Sequence, residues 1–200
     1  MLSSSQLNSS LSLGRREKEL PLQQFHRKDE ISVSDSGIWQ VYRGVVQLSR
    51  IQEDGSEIIS GWVTANGIFG NIADNPVLYR AVALGEVYAK RYTHHDVVRH
   101  PMLARQFLAQ FSDRLIKSQQ LLAIIAVNRV EERLRQLLSM LKLEIGQQVD
   151  DGVRLQVRFT HQHLAEAIHT TRVTITRILG DFQEQGLIYF DGERHIVVKA

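Results

Sequence analysis

Residues 159–198 constrain the fold of this chain most. They read FTHQHLAEAIHTTRVTITRILGDFQEQGLIYFDGERHIVV. Leu164, Ala165 and Ile168 form the narrow apolar stripe of a short helix, and the hydroxyl of Thr160 is placed to cap its start. A second helix follows with Val173, Ile175, Ile178, Leu179 and Phe182 as its apolar positions. Small Ala165 and Ala167 let the two helices pack closely. Between them His169-Thr170-Thr171 makes a tight turn in which Thr170 or Thr171 caps the second helix. That is the pattern of a helix-turn-helix, whose second helix enters a DNA major groove with its first turns against base edges.

On the second helix Thr171, Arg172, Thr174, Thr176 and Arg177 are left facing outward. An arginine fork donates two hydrogen bonds to guanine O6 and N7. Arg172 lies at the helix start. Arg177 is about 7.5 Å further along the axis at ~1.5 Å per residue, so the two reach different bases. Threonine hydroxyls and free N–H groups at a helix start suit phosphates. The plain alternative is a helical pair with ordinary surface arginines. After it, Gln185-Gly186 ends the helix with a left-handed glycine cap, and 187–190, Asp191-Gly192 and 195–198 read as a β-hairpin wing.

TRVTITRILGDFQEQGLI followed by a short hairpin resembles the DNA-binding domain of the cyclic-AMP-receptor/fumarate-nitrate-regulator (Crp/Fnr) family of transcription regulators. Residues 171–177 look closer still to its cyanobacterial nitrogen-control branch. The resemblance implies DNA contacts from Thr160, His161, Thr170, Thr171, Arg172, Val173, Thr174, Thr176 and Arg177. Arg172 and Arg177 would read the site. Val173 stands where the cyclic-AMP receptor has a glutamate, so a half-site more like GTA than TGTGA is implied. His169 departs from the family, which usually has glycine in that turn.

Between residues 154 and 180 four arginines (154, 158, 172 and 177) face the single acid Glu166, although the net charge of the 200-residue chain is only +2. A basic face of that kind is what phosphate binding needs. Cysteine is absent, which excludes disulfides, thiolate metal sites and iron–sulfur clusters. No apolar run approaches the ~20 residues of a membrane span. Residues 1–20 lack the pattern of a secretory signal and read as a flexible N-terminus. A cytoplasmic protein is expected. No nucleophile motif, phosphate-binding glycine loop or metal-ligand cluster supports an enzyme. His94-His95, read as lying on a strand or turn, have no third ligand at metal spacing.

From residue 22 to 92 short strand patterns alternate with turn residues. Asp54-Gly55, between alternating apolar positions, is a hairpin signal. The stretch 41–48, VYRGVVQL, and Gly67-Ile68-Phe69-Gly70 resemble the strand pair and turn of the family's double-stranded β-roll. In cyclic-nucleotide binders a glutamate soon after that turn holds ribose and an arginine holds phosphate. Here Asn71 stands near the glutamate position and Tyr79 at the arginine position. Arg80 is one residue off, which in a strand means the opposite face. Cyclic AMP is argued against. The resemblance to the nitrogen-control regulators implies 2-oxoglutarate instead, which they bind partly through charged residues on the following long helix. Arg114 matches their arginine, but the expected glutamate is Gln119, so that ligand and a lost ligand both stay open. The effector candidates are thus Asn71, Tyr79, Arg80, Arg114 and Gln119.

Pro101 opens a long helix. Leu103, Phe107, Phe111, Leu115, Ser118, Leu122 and Ile125 recur at a coiled-coil-like period. The span from 101 to 128 is about 40 Å at ~1.5 Å per residue, longer than a small roll covers. Phe107, Phe111, Leu115, Ser118, Leu122 and Ile125 are therefore expected in a dimer interface, with packing on the chain's own roll as the alternative. Asn128 is the hinge candidate. Val130, Leu134, Leu137, Leu138 and Leu141 mark another helix, followed by a polar loop at 147–152 and a strand at 153–159.

The expected fold is α+β: an N-terminal cyclic-nucleotide-binding-like double-stranded β-roll (21–99), a long dimerisation helix and hinge (100–128), and a C-terminal winged helix-turn-helix (129–200). The expected function is a homodimeric transcription regulator binding a palindromic DNA operator, with RNA polymerase a further partner implied by the resemblance. Activation of nitrogen- or sulfur-responsive genes is the expected role. The competing class is a winged-helix module for protein or RNA, with the roll as a non-sensing scaffold.

Overall fold

The computed structural model describes residues 20–33, 36–71 and 79–199. The predicted N-terminal arm lies outside them, apart from Leu20.

Among the described residues seven strands build the first half: β1 (Leu22–Phe25), β2 (Gly37–Arg43), β3 (Val46–Ile51), β4 (Glu57–Val63), β5 (Ile68–Asn71), β6 (Arg80–Ala83) and β7 (Val87–Tyr92). They form two antiparallel sheets, ordered β1-β7-β2-β5 and β4-β3-β6. Trp39, Val41, Val46, Leu48, Phe69, Val87 and Ala89 fill one apolar core between them. Trp39 stacks on Phe69 with ring centroids 6.4 Å apart, and Phe25 meets its edge at 5.5 Å. The turn before β3 needs glycine: Gly44 has φ +93°, and a Cβ there would lie 2.3 Å from the carbonyl oxygen of Glu86. The Asp54-Gly55 hairpin joins β3 to β4, with Gly55 at φ +80°.

The capping box of Thr93 and Asp96 starts α1 (His94–Arg99), and Pro101 opens α2 (Pro101–Ile125). His94 and His95 are therefore the first residues of a helix, not of a strand or turn.

Helix α2 uses two faces, which the sequence pattern blends. Phe107 is 2% exposed and packs with Ile38, Ile68, Tyr92 and Val97 of its own chain, its ring 5.2 Å from Tyr92. It is therefore unavailable for pairing, and the expectation that placed it in an interface is corrected. Phe111 leans on the same cluster, and Ile125 on the larger core further along. Ser118 donates to the carbonyl of Ser60. The apolar residues that α2 leaves exposed are Met102, Leu108, Leu115, Ile116 and Leu122. Leu108, Leu115 and Leu122 are spaced by seven residues, a heptad seam the sequence reading only half identifies.

The helix is interrupted at residues 126–129, with Asn128 exposed between α2 and α3 (Val130–Ile145). On α3 Leu134, Leu137, Leu138, Leu141 and Ile145 are buried, one continuous inward stripe. The segment predicted as a polar loop contains a strand instead: β8 (Gly146–Val149) pairs with β9 (Gly152–Leu155) around Asp150-Asp151. Its outward-facing glutamines hide the strand from a reading by apolar alternation. Helices α4 (His161–Ala167) and α5 (Arg172–Glu184) follow, then β10 (Ile188–Phe190) and β11 (Ile196–Lys199). The last sheet runs β10-β11-β9-β8.

One large core joins the two halves. Leu121 and Ile124 of α2, the leucines of α3 and the inner faces of α4 and α5 share it with Ile59 and Trp62 of β4. The Trp62 ring meets Phe159 edge-on at 5.8 Å. Lys117 of α2 bonds both Asp113 (2.8 Å) and Glu144 of α3 (2.6 Å).

Candidate nucleic-acid interface

Local rules set the α4–α5 pair. Thr160 caps α4 by accepting from the His163 N–H at 3.1 Å. Thr171 caps α5 by accepting from the Thr174 N–H at 3.1 Å. Of the two cap candidates in the turn, Thr171 is thus the one used. His169 holds φ +52°, the left-handed backbone that glycine favours. Arg133 of α3 donates to the carbonyl of Ile168 at 2.7 Å, pinning the end of α4. Helix α5 ends in a paired-bond glycine cap: Gly186 at φ +72°, its N–H to Gln183 and that of Leu187 to Phe182.

Ile175, Ile178, Leu179 and Phe182 are buried, which turns the opposite face of α5 outward. Val173 does not join them. It is 78% exposed, correcting its place in the apolar stripe, and shares a shallow depression with Arg172, Thr176 and Arg177. Arg177 is steered by its own helix, Nη1 donating to Asp181 at 2.9 Å. The sequence reading does not single out this i,i+4 acid, although its spacing signals it.

Thr176 donates to the Arg172 carbonyl at 2.9 Å and lies 2.7 Å from Nδ1 of His161. With the Thr176 proton committed, Nδ1 carries the hydrogen of that contact. Burial, then the nearby charges of Arg172 and Arg194, lower the His161 pKa below its ordinary value. Thr171 and Thr174 hydroxyls bond each other at 2.8 Å, and Thr170 is half-buried beside them. Of the nine residues picked from the sequence, Thr170 to Thr174 lie at the start of α5, Thr176 and Arg177 follow within its second turn, and His161 of α4 meets Thr176, while Thr160 caps α4.

Arg154 leaves the basic face. Its guanidinium binds Asp191 and Glu193 of the wing turn, each at 2.5 Å. That turn is also not a two-residue Asp-Gly turn. Asp191 Oδ1 accepts from the N–H groups of Glu193 and His195, and Arg194 takes the left-handed conformation at φ +66°.

In the roll, Arg114 lies over the Tyr79 ring, 5.1 Å from its centroid. The Tyr79 hydroxyl accepts from the Gly70 N–H at 2.6 Å. Arg80 is bound to Glu30 at 2.6 Å. Asn71 is half-buried at the end of β5, and Gln119 is exposed on α2. The structure thus joins Tyr79 with Arg114 and draws Arg80 elsewhere. A cyclic-nucleotide phosphate does not fit this arrangement, because its arginine position holds a tyrosine tied to backbone and the adjacent arginine is tied to Glu30. Arg114 also lines a cleft of about 280 Å³ between the β4–β5 turn and α2, with Trp62, Gln110, Asp113 and Lys117. Trp62 Nε1 and Gln110 Oε1 are both buried without a hydrogen-bond partner among the described residues.

Residues 132–200 match the family model described as the Crp-like helix-turn-helix domain. A global nitrogen regulator of Synechococcus elongatus is 30% identical over 194 residues, 91% of this chain and 87% of that protein. The chain belongs to the Crp/Fnr family of transcription regulators. A second global nitrogen regulator, from Synechocystis sp., is 31% identical over 160 residues, covering 76% of this chain and 71% of its own length. Among solved structures, a transcriptional regulator of the CRP family from Thermus thermophilus superposes with a TM-score of 0.78. Its identity is 18%, with 89% of this chain and 92% of that chain covered, a likeness of fold. The Crp/Fnr membership places the chain among regulators similar to the nitrogen-control branch and accounts for both the roll and the winged helix. Among the described residues no helix is long and apolar enough to cross a membrane.

Proposed function

We propose that this Crp/Fnr protein is a homodimeric activator that binds a palindromic DNA operator and reads each half-site with Arg172 and Arg177. The observation that carries the reading is the outer face of α5, where exposed Arg172 directly follows the Thr171 cap and exposed Arg177 lies further along the helix. Thr160, Thr170, Thr171 and Thr174 act as phosphate-side contacts around them, and the bonded pair of His161 and Thr176 supports the start of α5 against the DNA.

A second copy of the chain covers the outward face of α2. Leu108, Leu115 and Leu122 form the seam, extended by Ile116 and by the half-exposed Phe111 and Ile125. Such pairing sets two recognition helices about 34 Å apart, one turn of DNA. Control by a nutrient, nitrogen or sulfur, is proposed, with nitrogen favoured by the likeness to two global nitrogen regulators. The cleft beside Arg114 is the proposed effector site. Its guanidinium and the indole N–H of Trp62 are donors that suit a small anion, of which 2-oxoglutarate is one. RNA polymerase is the proposed partner on the promoter. The fold serves binding and not bond-making.

The test is selection of duplexes from a random pool followed by mobility-shift titration. The wild type is expected to enrich a two-fold symmetric sequence, and Arg172→Ala is expected to lose the preference for it over scrambled duplex. An Arg172→Ala protein with unchanged preference would remove Arg172 from the reading role.

A further inference from the structure

We infer that Lys117 and Glu144 form a clasp that fixes the separation of the two recognition helices, making Lys117 a positioning residue for half-site spacing. This rests on the paired reading of two half-sites proposed above and adds to it the device that sets the span. Helices α2 and α3, joined by residues 126–129, pack on each other through Leu121, Ile124 and the leucines of α3. Apolar packing is non-directional, so it holds the helices together without fixing their angle. The ion pair is directional. Lys117 Nζ lies 2.6 Å from a carboxylate oxygen of Glu144, and only 28% and 20% of the two side chains are exposed, so salt and water screen it little. Among the described residues it is the one salt bridge between α2 and α3. Asp113, one turn back on α2, bonds the same ammonium at 2.8 Å and restricts where it points. Next to Lys117, Ser118 donates to the carbonyl of Ser60, which ties this point of α2 to the roll.

The position of the pair gives it leverage. Glu144 stands about 21 Å beyond Val130 at ~1.5 Å per residue, at the far end of α3 from the joint. A rotation of α3 by roughly 10° about that joint moves the Glu144 carboxylate by about 4 Å, which ends a hydrogen bond. The orientation of α3 is in turn the orientation of α5. Arg133 donates to the Ile168 carbonyl at the end of α4, and Arg135 lies over the Phe182 ring of α5, 5.4 Å from its centroid. The roll adds Arg27, whose bond to the Arg158 carbonyl is longer, 3.3 Å, and exposed. Helix α2 carries the seam for the second copy. The path between recognition helices therefore runs from α5 through α3 and the clasp to α2, and out again through the partner. A closed clasp holds both heads at one spacing, and an open one lets each swing on its joint.

The experiment uses the full-length protein and the two-fold duplex recovered by selection. Beside it stand versions with one or two base pairs inserted at the centre, and a duplex with a single half-site. Each inserted pair moves a half-site by about 3.4 Å and turns it by roughly 35°. The wild type is expected to lose roughly ten-fold in affinity on the first insertion, the factor carried by one charged hydrogen bond. Glu144→Gln keeps the shape and removes the charge. It is expected to cut that loss to about two-fold, the remainder once the charged bond is gone, while binding the single half-site as the wild type does. Lys117→Met combined with Glu144→Gln removes both charges and should match Glu144→Gln alone, as two partners in one contact do. Equal insertion penalties in the wild type and Glu144→Gln would overturn the inference, with sequence-specific binding left standing. So would a loss of half-site affinity as large as the loss on the two-fold duplex, because it marks a general structural role. Enrichment of no two-fold sequence would count against paired reading itself, and would take this inference down with it.

Discussion

Single residues carry the selectivity proposed for this protein, and their settings differ. Arg177 is steered by Asp181 at 2.9 Å, whereas no acid among the described residues forms a salt bridge with Arg172. Loss of a bidentate arginine–guanine pair removes about 1–3 kcal/mol of discrimination, roughly ten- to hundred-fold. Arg172→Ala and Arg177→Ala should each show that loss in competition against scrambled duplex. Asp181→Asn should weaken selectivity less, through a looser Arg177, with little change in non-specific affinity. Histidines supply the pH dependence. The pKa of His161 is lowered by burial and by the charges of Arg172 and Arg194, and that of His163 is lowered first by burial. A histidine with a depressed folded-state pKa takes up its proton more readily when unfolded. Stability is then full above the ordinary histidine pKa of 6.5 and declines as pH falls below it. Urea midpoints measured from pH 8 to pH 5 should fall on the acid side, and the double variant His161→Gln, His163→Gln should flatten that fall. Equal slopes in both proteins would remove these histidines from the effect.

Elements reveal how much is legible in the sequence. The two caps of the helix pair, the glycine that ends α5 and the buried stripe of α3 are readable because each depends on residues three or four apart. His169 is readable as a departure from the family's glycine, and it does take φ +52°. A non-glycine residue in that conformation costs ~1 kcal/mol or more. His169→Gly should therefore raise the thermal midpoint, since the exposed His169 side chain has little packing to lose. A lowered midpoint would mean that the imidazole has a structural role. Strand β8 is not readable, because a short edge strand of polar residues has no alternation to display. Val173 reads wrongly as core when counted for its apolarity alone: at ~100° per residue it lies on the face opposite Ile175, Ile178, Leu179 and Phe182, which are buried. The two faces of α2 merge for a related reason. A three-and-four spacing describes a stripe, and only packing separates the side that meets the roll from the side left bare. Arg154 counts with the basic face in the sequence because its partners, Asp191 and Glu193, lie 37 and 39 residues away in the chain.

At the scale of the whole molecule, the roll and the reading domain are not independent bodies on a string. Trp62 lines the cleft beside Arg114 and also packs on Phe159, just before the helix pair. A ligand in the cleft would bias the reading domain through that ring, as a coupling between two sites requires. 2-Oxoglutarate should raise the thermal midpoint of the wild type and leave that of Arg114→Ala unchanged. No shift in either protein would remove 2-oxoglutarate as the ligand of the cleft. The seam of Leu108, Leu115 and Leu122 should fail on introduction of charge, so Leu115→Glu, Leu122→Glu should sediment as a monomer and lose affinity for the two-fold duplex. Hydroxyl-radical footprinting of the wild-type protein on the selected duplex reports pairing and reading together. Two protected patches on one side of the duplex, about 34 Å apart and related by two-fold symmetry, are the expected result. A single protected patch, or protection that ignores the base sequence, would contradict a dimer that reads two half-sites.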